Sequence, residues 1–265
     1  MSYLGSITEK EYNNIKALRN SELGLLEKSF AHYKRGGERT AAMIFGTAFH
    51  MYVLEENTFW ENFIVAPKYD GRTIEGKKIK AQLDEQAQAG KEILKNEDFE
   101  TIKAMKQSLF NHPKAKNIFT DSENEGAYTA EINGATCKCK LDAQNKGIFF
   151  DLKSTDDASY NGFRKSIGKY RYDRQAAFYG DIAASNGIEF KGFVFVDVEK
   201  EFPYHVACWA LDPSSIELGR QSYLKLIEKY KYHTENPQAF DGISDKIMEI
   251  SAPNWLFMDS AVNGV

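Results

Sequence analysis

Cysteine is nearly absent from this 265-residue chain, and three residues, Cys137, Cys139 and Cys208, cannot build a disulfide framework. Their odd number suits a reducing compartment. Proline is scarce at six, and no linker, internal repeat or low-complexity tract divides the sequence. No run approaches the ~20 apolar residues that span a bilayer. The opening Met1-Ser2-Tyr3-Leu4-Gly5-Ser6 lacks the basic and apolar segments of a secretory signal. The expectation is a soluble, cytoplasmic protein with one domain over residues 1–265. Excess positive charge is missing too. With 34 Lys+Arg against 38 Asp+Glu the chain carries −4, which excludes coating nucleic acid over the whole surface but leaves room for a local basic groove. Aromatic residues are plentiful instead. Eighteen Phe and 14 Tyr are too many for a disordered coil, and the length suffices for a sizeable core.

The first part, to about residue 115, reads as helical. Thr8 caps a start with Glu9 and Glu11 in its first turn, and Asn20-Ser21 opens a second with Leu23, Leu25, Leu26 and Phe30 at helical spacing. A third helix is expected from about Glu38 to Leu54, and one long helix or two from Lys77 to Phe110, ended by His112-Pro113. The period then changes. Gly126 to Ile132, Thr136 to Leu141 and Ile148 to Lys153 are short runs separated by Asn133-Gly134 and Asn145-Lys146-Gly147, the pattern of an antiparallel meander. A helix over Tyr172 to Ser185, strands at Gly192 to Val198 and His205 to Leu211, and a helix from Asp212-Pro213-Ser214 to about His233 complete a core over about 120–235. A tail, 236–265, follows.

Two patterns imitate functional sites. Gly71 to Lys78 has the spacing of a phosphate-binding loop, but Lys78 stands where a magnesium-binding hydroxyl belongs and no buried strand precedes it, so a polar surface loop is expected. Cys137 and Cys139 share one face of a strand without further ligands nearby, which favours packing over a zinc or iron–sulfur site.

The stretch with chemical promise is Lys138-Cys139-Lys140-Leu141-Asp142, then eight residues, then Asp151-Leu152-Lys153. Asp142 is expected at the end of one strand, and Asp151 and Lys153 on the same face of the next. A tight meander sets Asp142 beside Asp151. Paired carboxylates repel and are best tolerated around a cation, and hard oxygen ligands favour Mg²⁺ or Mn²⁺. Lys153 is then placed to orient water or offset charge on a phosphate. Glu125 could add a carboxylate, although Glu123 and Glu131 nearby make a solvated strand end equally simple. Arg164, Lys165, Lys169, Arg171 and Arg174 follow, interleaved with Phe163, Tyr170 and Tyr172, a mixture suited to a phosphate backbone and its bases. His50, in the apolar Phe45-Gly46-Thr47-Ala48-Phe49-His50, reads on its own as a hydrogen-bonded core residue.

These segments, in order, resemble the PDDEXK nuclease superfamily and within it the RecE-like (exonuclease VIII-like) phage and prophage exonucleases. Asn20-Ser21-Glu22-Leu23 with Ala31-His32-Tyr33-Lys34 is similar to the family's N-terminal helix, with Phe30 in place of its usual proline. Phe45 to His50 with Leu54-Glu55, then Glu125, Cys139-Lys140-Leu141-Asp142, Asp151-Leu152-Lys153-Ser154-Thr155, Tyr172 to Tyr179 and Ile250 to Trp255 match the remaining blocks, over residues from about 20 to 255. Leu141 stands where relatives often have proline.

The resemblance implies an α/β fold with a mixed central sheet flanked by helices and a helical N-terminal part. It implies that His50, Asp142, Asp151 and the Leu152 backbone carbonyl bind divalent metal, with Glu125 as an added acidic ligand or acting through water. Lys153 becomes the motif lysine, and Gln175 and Tyr179 face the scissile phosphate. The implied activity is Mg²⁺-dependent 5′→3′ digestion of double-stranded DNA ends, with Mn²⁺ able to substitute and two ions per site. A homo-oligomeric ring and a RecT-type single-strand annealing partner are also implied. A restriction or repair endonuclease, or a non-catalytic DNA-end-binding prophage module, are the alternatives. Residues 133–175 hold nine Lys/Arg and five Asp, so this segment is +4 and the rest of the chain −8.

Overall fold

The computed structural model describes residues 2–5, 7–242 and 244–254, excepting the side chains of residues 123–125. Trp255, the end of the last matched block, lies outside the described residues. In chain order the elements are β1 (Ser2–Gly5), α1 (Glu9–Asn14), α2 (Asn20–Lys28), α3 (Phe30–Arg35), α4 (Ala41–Leu54), α5 (Glu56–Asn62), β2 (Phe63–Ala66), α6 (Ile74–Gln88), β3 (Glu92–Lys95), α7 (Asn96–Asn111) and α8 (Pro113–Thr120). The second half continues with β4 (Glu123–Ile132), β5 (Ala135–Asn145), β6 (Ile148–Thr155), α9 (Tyr160–Tyr170), α10 (Tyr172–Ser185), β7 (Gly192–Glu199), β8 (Val206–Ala210) and α11 (Pro213–Glu235). No helix among the described residues is long and apolar enough to cross a membrane.

The main sheet has the order β1-β4-β5-β6-β7-β8 and is antiparallel except where β6 runs parallel to β7. Its meander turns are those the sequence announces. Asn133 and Gly134 take φ of 48° and 76°, and Lys146 and Gly147 take 48° and 85°, the positive values that tight two-residue hairpins need. Parallel strands cannot be joined by a tight turn, and α9 and α10 form the crossover between β6 and β7. Of the one or two helices expected over Lys77 to Phe110 there are two, α6 and α7, and the unexpected β3 between them pairs in parallel with β2. Gly90, at φ 97°, makes the break after α6, and the run Glu92 to Lys95 alternates Ile93 outward with Leu94 inward. Of the loop expected over Gly71 to Lys78, Gly71 and Arg72 form an exposed turn, but Ile74 to Lys78 begin α6, capped by Thr73.

Both faces of the sheet are covered, so its central strands bury residues of both parities. On one side Phe149, Phe193 and Phe195 pack with Leu23 and Leu26 of α2, Phe178 and Ile182 of α10, and Tyr223 and Ile227 of α11. Cys137 and Cys139 lie in this cluster, fully buried, with burial pushing both thiols upward in pKa, so they are packing residues. On the other side Leu152, Val196 and Val198 pack with Phe49 and Met51 of α4 and with Ile102, Met105 and Leu109 of α7. Gly219 lets α11 press against the start of α10, since a Cβ there would lie 2.1 Å from the Asp173 carbonyl oxygen. That contact fixes the helix carrying Gln175.

Candidate active site

The site forms where β5 and β6 part. Their ladder pairs Asn145 with Ile148, Gln144 with Phe149 and Ala143 with Phe150, then stops one residue short of Asp142 and Asp151. Asp142 lies inside β5 rather than at its end, because the strand continues to Asn145. Where the ladder stops, the Asp142 carboxylate replaces a backbone acceptor: the Leu152 amide donates to its Oδ2 at 2.8 Å. His50, on α4 from one face, sets Nε2 2.8 Å from the same oxygen. From the other face, the Gln175 amide of α10 donates to Asp151 Oδ1 at 2.5 Å. The Lys153 ammonium stands 2.5 Å from Asp151 Oδ2. Residues as far apart in sequence as His50 and Gln175 therefore converge because α4 and α10 sandwich the gap between two strands.

Both aspartates are buried, at 8% and 3% exposure, and their charges are set by their neighbours. For Asp142, burial opposes ionisation, but His50, Lys153 and the Leu152 amide outweigh it and hold the carboxyl below its usual value. For Asp151, burial and the Asp142 charge raise the pKa against the pull of Lys153, and the balance leaves it at about 6. Burial pulls Lys153 toward neutrality, yet Asp151, Tyr172 and Asp142 raise it above the ordinary lysine value, so it stays an ammonium ion. Its Nζ also lies 4.9 Å from the centroid of the Tyr172 ring. A cleft of about 440 Å³ opens over this group, lined by Gly46, His50, Glu55, Lys140, Lys153 and Tyr172 among others.

Among the described residues, no three His, Cys, Asp or Glu groups already stand as a closed metal cage, because His50 is turned onto Asp142 and Asp151 onto Lys153. The donor set nonetheless fits a hard divalent cation. Asp151 Oδ2 is buried against the Lys153 ammonium, and His50 Nε2 shares Asp142 Oδ2 with the Leu152 amide, so carboxylate and imidazole donors lie together on neighbouring elements.

Tyr179 follows Gln175 by one turn of α10, half-buried, with burial keeping its hydroxyl protonated far above the ordinary phenol range. The position of Glu125 on β4 lies between the pairs Asn124–Ala143 and Gly126–Leu141, hence opposite Asp142, while its side chain is outside the described residues. Of the basic candidates, Arg164, Lys165 and Lys169 are exposed on α9. Arg171 is engaged by Asp173 and Glu27. Arg174 departs from the expectation of a surface contact. It is 3% exposed and its guanidinium bonds Glu27 at 2.9 Å, joining α10 to α2 inside the molecule.

Sequence reasoning left two cleft residues without a role. Lys140 and Glu55 pair at 2.9 Å at the cleft wall. Each sits inside a matched block, two residues before Asp142 and just after Leu54, and that spacing was the available signal.

No curated protein matches the chain. Among solved structures, a protein of Eubacterium rectale described as a "putative exonuclease" superposes with a TM-score of 0.62 at 15% identity, over 98% of this chain and 99% of that one. This likeness concerns the fold. Another, SSO0001, reaches a TM-score of only 0.30 at 16% identity, over 73% of this chain and 86% of that one. A family model, the PDDEXK-like domain of unknown function DUF3799, matches residues 12–242. The chain thus belongs to the DUF3799 family of PDDEXK-like domains.

Proposed function

We propose that the protein is a divalent-metal-dependent exodeoxyribonuclease that digests linear double-stranded DNA 5′→3′ and leaves a 3′ single-stranded overhang. The observation carrying this reading is the buried Asp142–Asp151–Lys153 group at the parting of two strands, joined by His50 from one face and Gln175 from the other. PDDEXK-like family membership supports hydrolysis of phosphodiesters. The ordered RecE-like segments support the polarity, a homo-oligomeric ring, and use in recombination beside a RecT-type annealing protein.

His50, Asp142, Asp151 and the Leu152 carbonyl would hold Mg²⁺, or Mn²⁺ in its place, with two ions per site. When bound, such ions acidify water and polarise a phosphoryl oxygen. The protein's own groups supply the rest. Lys153, kept cationic by Asp151, orients the attacking water and offsets negative charge growing on the phosphate. Gln175 fixes the rotamer of Asp151 through its 2.5 Å hydrogen bond. Tyr172 supports the lysine from below, and the exposed Arg164, Lys165 and Lys169 of α9 meet the DNA backbone.

Digestion of end-labelled duplex in Mg²⁺ tests this reading. A 5′ label should appear early as mononucleotide while a 3′ label stays in long product, and a covalently closed circle should survive. Nicking of the circle would replace the exonuclease reading with an endonuclease, and release of the 3′ label first would reverse the polarity.

A further inference from the structure

A second cleft, also of about 440 Å³, is linked to the catalytic one by a pair of tyrosines. Tyr170 lines the second cleft and Tyr172 the first. The two rings stack at 5.6 Å between centroids with planes 28° apart. Residues two apart seldom stack when both belong to one helix, since they point 200° apart around its axis. Here Arg171 between them is left-handed, at φ 57° and ψ 49°, ending α9 and opening α10 in one step. Its side chain is held by Asp173 and Glu27, so the turn that stacks the rings is fastened from outside. The Lys153 ammonium lies 4.9 Å from the centroid of the Tyr172 ring. A continuous path runs from the exposed Tyr170 ring, through the half-buried Tyr172 ring, to the lysine of the reaction centre.

The second cleft has the composition of a site for a nucleotide. Lys28 and Lys169 stand exposed on its rim, and Arg171 and Arg174 line it. Its one acidic residue, Glu27, has both oxygens committed to those arginines. Arg174, 3% exposed, keeps Nε without a hydrogen-bond partner. Tyr170 is 50% exposed, and the ammonium of Lys169 lies 4.9 Å over its ring, a place a base could take while the cation turns to a phosphate. Cations around an exposed aromatic face are the combination that binds single-stranded nucleic acid without regard to sequence.

We propose that Tyr170, backed by Tyr172, is the stacking platform for an unpaired nucleobase next to the scissile phosphodiester, with Lys28 and Lys169 holding its phosphate. A base resting on Tyr170 has left the duplex stack, so the enzyme frays its substrate, or meets it frayed, before cleavage. This rests on the nuclease reading and adds the state of the substrate to it.

The test uses duplexes carrying 2-aminopurine at successive positions from one end, bound to the whole protein in Ca²⁺. Wild type should quench the probe at one or two terminal positions only, Tyr170→Phe should do the same, and Tyr170→Ala should lose the quench. The same Tyr170→Ala variant should bind an oligonucleotide with an unpaired end about tenfold more weakly, the loss of one stacked base. Quenching and affinity unchanged in Tyr170→Ala, or no quench in wild type, would overturn the platform. Hydrolysis of bis(4-nitrophenyl) phosphate by wild type in Mn²⁺ is measured alongside. Its absence would count against the nuclease reading whatever the quench shows.

Discussion

Asp151 on β6 and Asp197 on β7 occupy adjacent parallel strands, both are buried, and both have carboxyl groups raised by burial, to about 6 and about 8. Their surroundings separate them. Asp151 has an ammonium, an amide and a second carboxylate within reach of one gap. Asp197 is 0% exposed, and among the described residues no ammonium or guanidinium pairs with it. Its own backbone amide and the Trp209 indole favour its charge, while Glu199 and Asp157 oppose it. Burial alone therefore makes a costly neutral acid. A reactive carboxylate also needs countercharge, a cleft, and a reason for its charge to persist.

The contrast can be broken first at the lysine. Lys153→Ala should cut hydrolysis of linear duplex in Mg²⁺ by roughly a thousandfold, the scale of losing a preorganised charge stabiliser. Retained turnover would place Asp151 beside Asp197 as a mere buried acid. His50→Ala should weaken Mn²⁺ binding, followed by titration calorimetry, by about a hundredfold. Gln175→Ala, which frees Asp151 Oδ1, should lower kcat by about tenfold while far-UV circular dichroism is unchanged.

Asp197→Asn is the smallest effect and moves in the other direction. The folded pKa of Asp197 is raised above the ordinary carboxyl value, so the folded state binds the extra proton. Its stabilising neutral form is fully retained below about pH 4 and lost as pH rises through about 8. The variant should therefore match wild type at pH 4 and melt roughly 5 °C higher at pH 8. Nuclease activity at pH 7 should be unaltered. A variant less stable at pH 8 would show that Asp197 is ionised and paired.

Much of this was readable in the sequence where local chemistry decides. Asn133-Gly134 and Lys146-Gly147 can hardly be anything but tight turns, and they fix the register that brings Asp142 toward Asp151. The helix at Tyr172 to Ser185 has the bounds its pattern predicts. Long-range placement was not readable. The inward turn of Arg174 depends on Glu27 of α2, 147 residues away, and no local spacing reveals such a partner. α9 shows in the sequence as a run of basic and aromatic residues, since its Gly162 and Gly168 weaken the helix signal that Ser159 at the cap supports. β2 and β3 were missed because four-residue strands between helices resemble the helices' own apolar faces.

Asp151→Asn compared with wild type on one end-labelled linear duplex tests the central claim most directly, with Mg²⁺ for hydrolysis and Ca²⁺ for binding. The substitution keeps the shape but removes the charge that faces Lys153 and would face the metal, and it leaves one acceptor where Gln175 and Lys153 now meet two. Cleavage should fall at least about a thousandfold in Mg²⁺ while DNA binding in Ca²⁺ persists. Cleavage by Asp151→Asn at the wild-type rate would contradict the assignment of the β5–β6 gap as the catalytic centre.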